Sequence, residues 1–197
     1  MKIRKILFCA LALSLLGGAT VGANELFQTY QGKDVKVFVN GSEVPGGALN
    51  IDGKTYVPIR AMSNTLQAII NAGSDTVQIY KPNVHLLLFT GDKNAMKPFG
   101  NVYQGSYEFS VFAQVDNLQT EIHSLKTEIV APNGQTVDFQ VYEMSDDIKD
   151  VFWYTTLPFN INFTMTGEYK LKFYIKQKES GPFELLSEKA IVSMKKG

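Results

Sequence analysis

The sequence predicts a mainly β protein, a small α+β module followed by a C-terminal antiparallel β-sandwich. Three observations carry this. From Gly105 to Lys196, segment after segment alternates apolar and polar residues with period two, as strands with one buried face do. Turn signals such as Ala131-Pro132-Asn133-Gly134 and Ser180-Gly181-Pro182 separate those segments at near-regular spacing. Before Gly105, one stretch instead spaces its apolar residues by three or four.

In chain order, residues 1–23 read as a signal peptide. Lys2, Arg4 and Lys5 form a basic start, and Ile6 to Leu16 is an apolar run too short for a stable membrane span. Val21-Gly22-Ala23 offers small residues for cleavage before Asn24. The expected destination is secreted or extracellular, with cell-wall association open and no transmembrane anchor after cleavage. Cys9, the only cysteine, lies inside the apolar run without the small residues that a lipid anchor needs before it, so it leaves with the signal. The mature chain then has no disulfide, and burial must hold it together. The formal charge balances at 19 basic and 19 acidic residues, so losing those three basic ones leaves a slightly acidic chain. That balance argues against nucleic acid and against anionic lipid as partners.

The first module is expected over residues 34–90. Val35, Val37 and Val39 alternate with polar residues, and Asn40-Gly41 turns the chain. Asp52-Gly53 is a second hairpin turn, followed by Thr55-Tyr56-Val57 in extended form. Pro58 suits a first helical turn, and Ile59, Met62, Leu66 and Ile69 continue as a helical stripe. Thr76 to Tyr80 and Val84 to Phe89 read as closing strands. A module this small buries little surface, so it is expected to lean on its neighbour.

Val39-Asn-Gly-Ser-Glu-Val44, Ile51-Asp-Gly-Lys-Thr-Tyr-Val-Pro-Ile-Arg60 and Thr76-Val-Gln-Ile79 together resemble a stalk domain, the copper amine oxidase N-terminal domain-like family of secreted Gram-positive proteins. The resemblance covers roughly residues 35–90. It implies an extracytoplasmic, non-catalytic accessory module, and it does not imply copper. Two positions depart from the family pattern. Gln67 stands where the family has Gly after Leu, and Asn71-Ala72-Gly73 stands where a Trp-Asp strand is usual.

Residues 91–104 form the expected linker, rich in breakers such as Gly91-Asp92, Lys97-Pro98 and Gly100-Asn101. The second domain spans residues 105–196. Tyr107, Phe109, Val111, Ala113 and Val115 share one parity, as do Leu125, Thr127 and Ile129. Val137, Phe139 and Val141 share another, and so do Tyr169, Leu171, Phe173 and Ile175. Pro158 is expected to split the apolar run from Val151 to Phe163 into two strands. Thr166-Gly-Glu-Tyr-Lys-Leu-Lys-Phe173 resembles a late strand of bacterial immunoglobulin-like domains, which gives an immunoglobulin-like sandwich at the level of fold alone.

Candidate sites are few. His85 in a strand and His123 in a loop fall short of a metal-ligand set, no Asn-Tyr dipeptide occurs, and hydrolase motifs are missing. Glu143, Asp146, Asp147 and Asp150 form an acidic cluster without the spacing of a calcium loop, so a solvated loop is favoured over a calcium site. Arg60 is expected to pair within its own module. No catalytic residue, cofactor or metal ligand is assigned. The remaining oddity is aromatic. With Phe109, Phe139 and Phe173 facing the core, alternation sends Phe112, Tyr142 and Tyr174 outward among polar neighbours. Outward rings stack on sugars or pack on a protein partner, and otherwise cover neighbouring strands. The expected role is therefore non-enzymatic: binding or presentation at the cell wall, with a cell-wall polysaccharide or a secreted or surface protein as partner. The alternative is an inhibitor or accessory subunit of an exported enzyme.

Overall fold

The computed structural model describes residues 31–91, 95–144 and 150–197. The expected signal peptide, with Cys9 and the cleavage point, lies outside the described residues, as do Asp146 and Asp147. The strands are β1 (Lys33–Val35), β2 (Phe38–Val39), β3 (Ser42–Glu43), β4 (Ala48–Ile51), β5 (Lys54–Tyr56), β6 (Ile69–Ala72), β7 (Val77–Tyr80) and β8 (Asn83–Thr90). They continue as β9 (Lys97–Pro98), β10 (Val102–Tyr103), β11 (Gly105–Asp116), β12 (Ser124–Val130), β13 (Thr136–Glu143), β14 (Phe152–Thr155), β15 (Phe159–Phe163), β16 (Gly167–Lys176) and β17 (Glu184–Met194). Between β5 and β6 lie a 3-10 turn (Ile59–Met62) and the single helical turn α1 (Ser63–Leu66). The chain is mainly β, as the alternation predicts.

The described residues divide into two compact units, one of residues 31–37 with 47–57 and the other drawn from residues 38–46 with 58–197. The first is an antiparallel sheet, β1-β4-β5. Its β4–β5 turn is Asp52-Gly53, both residues at positive φ (49° and 78°), which suits this pair and the twist of a hairpin. The expected strand through Val35, Val37 and Val39 is broken, since β1 pairs with β4 whereas β2 pairs with β3 around Asn40-Gly41.

In the second unit the expected helix is cut short. Gln67 adopts the left-handed conformation (φ 51°, ψ 53°), so the chain leaves α1 there and Ile69 starts β6 instead of extending the stripe. Ile69 is fully buried, in the same apolar cluster as Val115, Phe173 and Ile175. The β6–β7 hairpin thereby shares the core of the large unit.

Two five-stranded sheets form the sandwich. One is β14-β11-β8-β9 with β15 also on β11, and the other is β10-β17-β16-β12-β13. Thr156 separates β14 from β15 just before Pro158, its hydroxyl accepting the Val111 N–H at 2.9 Å where a ladder partner would sit. The inward parity of β11 and β16 follows the sequence reading, with Phe109, Val111, Ala113, Val115, Tyr169, Leu171, Phe173 and Ile175 all buried. Phe99 stacks on Phe109 with centroids 4.3 Å apart. Full burial of one such side chain stabilises by about 1.5–3 kcal/mol.

Two expectations are corrected. Val84 to Phe89, expected to close the first module, lies in β8 and pairs with β11 from Asn83↔Asp116 to Ser110↔Phe89, so this strand belongs to the sandwich. The boundary at residue 90 is thus crossed by a ladder. On β13, Phe139 is exposed rather than buried, with Val137 and Val141 exposed beside it. A bulge at Ile129/Val130 sets Asp138 opposite the buried Ile129 and Phe139 opposite Glu128, which reverses the expected parity. β13 ends its sheet, and Asp138 Oδ1 accepts the Phe139 N–H at 2.8 Å.

Candidate functional site

Because the inward residues of β11 and β16 build the shared core, their alternate residues define two opposite outer faces. On the first face, the ladder registers set the side chains in rows across β8, β11 and β14. One row is His85–Gln114–Trp153, the next is Leu87–Phe112–Thr155, and Phe89–Ser110 follows. Trp153 is 71% exposed and Leu87 50%, with Phe112 half-buried between Leu87 and Thr155. The Gln114 amide reaches the Asp116 carboxylate at 3.3 Å, and Asn83 stands opposite Asp116. The His85 imidazole makes no hydrogen bond among the described residues. Further along β11 the rows are Glu108–Asn160 and Ser106–Asn162, which border a shallow hollow of about 330 Å³.

On the second face the charged and hydroxyl side chains are bonded to one another, with Phe139 and Val141 exposed beside them. Lys126 Nζ lies 3.1 Å from Glu128 Oε2 and 4.2 Å from the centroid of the Tyr174 ring. Thr136 donates to Glu128 Oε1 at 2.6 Å, and the Tyr174 hydroxyl also bonds to Glu128. Lys170 and Lys172 share Glu188 at 2.9 and 4.0 Å. Burial alone would raise the Glu128 carboxyl, but the hydrogen bonds from Thr136, Lys126 and Tyr174 together hold it below its ordinary value. Burial first, then the hydrogen bond to Glu128, pushes the Tyr174 phenol well above the usual range.

The three rings singled out from the sequence do not converge. Phe112 does face outward, on the first face. Tyr174 faces outward on the opposite face, half-buried in the charge network. Tyr142 sits opposite Leu125, which is core-side parity, and its ring lies 5.1 Å from that of Tyr154 at the sandwich edge. The outward parity expected for Tyr142 is therefore reversed by the same bulge that exposes Phe139.

Sequence reasoning did not single out Trp153 or Leu87. In Phe152-Trp153-Tyr154 both parities are aromatic, so alternation names no outward residue, and only pairing to β11 decides it. Arg60 is tied to its own surroundings, donating to the Ala72 carbonyl at 2.8 Å. His123 lies in the bend before β12, with Nδ1 buried and unpartnered among the described residues. Glu143 and Asp150 are exposed, and the Asp150 carbonyl accepts the Leu118 N–H at 3.0 Å. A larger groove of about 1020 Å³ lies between Arg60, the β6–β7 hairpin, Gln119–Glu121 and Gln177. It has no aromatic lining, and Gln177 and Gln119 are already bonded to Thr120 and Asn117. Among the described residues, no group of three or more His, Cys, Asp or Glu side chains is arranged to hold a metal ion. Nor is any helix among them long and apolar enough to cross a membrane.

No protein-family model matches the chain, so the stalk-domain resemblance rests on its quoted motifs. No curated protein matches it in sequence. Among solved structures, a CARDB domain from Pyrococcus furiosus in complex with di-metal ions is similar over 59% of this chain and 97% of its own, with 12% identity and a TM-score of 0.34. The PmoD soluble domain from Methylocystis sp. ATCC 49242 is similar over 64% of this chain and 97% of its own, with 16% identity and a TM-score of 0.34. At that TM-score neither likeness bears on ligand or activity.

Proposed function

We propose that this chain is an exported, non-catalytic binding protein of the cell envelope, and that its ligand is an envelope polysaccharide lying on the first outer face of the sandwich. One observation carries the reading: Trp153, 71% exposed, stands in a single cross-strand row with Gln114 and His85. A flat ring offers a surface for the apolar face of a sugar, and the imidazole and the side-chain carbonyl of Gln114, whose N–H is held by Asp116, offer bonds to its hydroxyls. Phe112 and Leu87 extend the apolar floor by one row. The residues named contain no nucleophile–base pair, and their chemistry is suited to holding a ligand rather than transforming it. The signal-like residues 1–23 and the stalk-type resemblance support export.

The test is retention of the mature chain, starting at Asn24, on purified cell wall and on the secreted proteome in parallel. Retention on wall polysaccharide that Trp153→Ala abolishes supports the reading. Retention on secreted proteins alone moves the function to a protein partner, such as an exported enzyme that this chain assists or inhibits.

A further inference from the structure

Two features of the first face remain unused by the Trp153 platform. The side chains of Ser106, Glu108, Asn160 and Asn162 project from it with no hydrogen bond among the described residues. They border the hollow of about 330 Å³ on the same face. This separates them from the polar side chains of the opposite face, which are bonded to one another. The second feature is charge. The outward rows from Asp116 to Ser106, across β8, β11, β14 and β15, hold two carboxylates and no lysine or arginine.

Geometry links the two stations. Gln114 and Ser106 lie eight residues apart on one continuous strand, or about 26 Å at ~3.3 Å per residue. Between Gln114 and the Glu108–Asn160 row lie the rows Leu87–Phe112–Thr155 and Phe89–Ser110, so the face offers a track along β11. We infer that the hollow bounded by Asn160, Asn162, Glu108 and Ser106 is a second subsite, and that the ligand is an unbranched polysaccharide without anionic groups, long enough to reach from Trp153 to Asn162. This rests on the platform reading above and names its ligand more closely. An exposed amide pair can donate to and accept from hydroxyl or N-acetyl groups, which suits a sugar chain. A phosphate-bearing polymer would meet Glu108 and Asp116 with no cation opposing them, a repulsive arrangement.

The test uses the mature chain and glycan fragments cut from wall polysaccharide stripped of phosphate polymers, sorted by length from disaccharides upward. Affinity should climb with length, because a second contact on one molecule binds at high effective concentration. The double variant Asn160→Ala/Asn162→Ala should bind disaccharides as the parent does and lose roughly tenfold or more in affinity for long chains. Poly(glycerol phosphate) should not compete. Unchanged thermal unfolding of the double variant would confirm that its loss is one of contact. Binding that is independent of length, or long-chain binding untouched by the double variant, would overturn the second subsite while leaving the platform intact, provided Trp153→Ala still abolishes retention. Competition by poly(glycerol phosphate) would overturn the uncharged ligand class. Full binding by Trp153→Ala would bring down the platform and this inference with it.

Discussion

Each outer face of the sandwich carries aromatic rings among polar side chains, and each is built on one long central strand, β11 or β16. On the β16 face, Lys126, Glu128, Tyr174 and Thr136 bond to one another, and Lys170 and Lys172 converge on Glu188. On the β11 face, Trp153, His85, Asn160 and Asn162 have no such partners among the described residues. What separates the two faces is whether their hydrogen-bonding capacity is already spent, since a ligand gains little from groups whose bonds it must first break. Tyr174 and Phe112, equivalent in the sequence, therefore stand in different settings: one ring is bonded into its face and the other lies beside side chains that have no such bonds among the described residues.

The sharpest way to break that comparison is Trp153→Ala. A drop of about tenfold to a hundredfold in wall retention is expected, with unfolding free energy unchanged within ~0.5 kcal/mol. Paired retention and urea-denaturation measurements check it. Phe112→Ala should show both effects, because the ring is half-buried. Retention should fall, and stability should drop by about 1–2 kcal/mol, less than for a fully buried Phe. Tyr174→Phe, on the opposite face, removes only the hydroxyl that bonds to Glu128. Its expected cost is about 0.5–1.5 kcal/mol of stability, with retention unaltered. If Tyr174→Phe weakens retention as strongly as Trp153→Ala, the two faces do not differ in role.

A pH series sharpens the same contrast. The Glu128 carboxyl is held below its ordinary value in the folded chain. Its contribution to stability is therefore present above the unfolded-state value and is lost as pH falls through the lowered folded one. Glu128→Gln should flatten the acid limb of the stability profile and leave wall retention at neutral pH unchanged. Chemical denaturation at stepped pH reads the first effect. The smallest expected change lies outside both faces. Gln67 sits at positive φ, where glycine is unstrained, so Gln67→Gly should stabilise by up to about 1 kcal/mol and leave retention alone.

What the sequence made legible was whatever one strand decides by itself. Tyr169 to Ile175 and Phe109 to Val115 alternate cleanly, and their burial follows. The Asn40-Gly41 and Asp52-Gly53 turns, with positive φ at all four residues, were equally plain. What stayed hidden depends on pairing between strands. Phe139 is exposed because of a bulge in its ladder with β12, which no local pattern records. β8 reads as a strand, but nothing within it says that its partner is β11 rather than β7. Trp153 is outward only because Gln114 is its register partner. Ile69 fits a helical stripe, and it took the left-handed turn at Gln67, in a residue type that rarely adopts it, to end the helix. The candidate face was thus half visible: Phe112 came from alternation, whereas its neighbours came from topology.

One small detail on β13 bears on how many copies of this chain can be crowded together. A terminal strand with Val137, Phe139 and Val141 exposed is the kind of rim along which identical molecules zip into fibres. Asp138 occupies the Phe139 N–H with its own carboxylate, so an incoming strand finds that donor taken and a negative charge beside it. With a single cysteine in its sequence, the chain has no internal disulfide to keep it from opening, and it gains solubility from a single residue of this kind. Its loss in Asp138→Ala should appear as concentration-dependent aggregation in light scattering before any fall in the melting temperature.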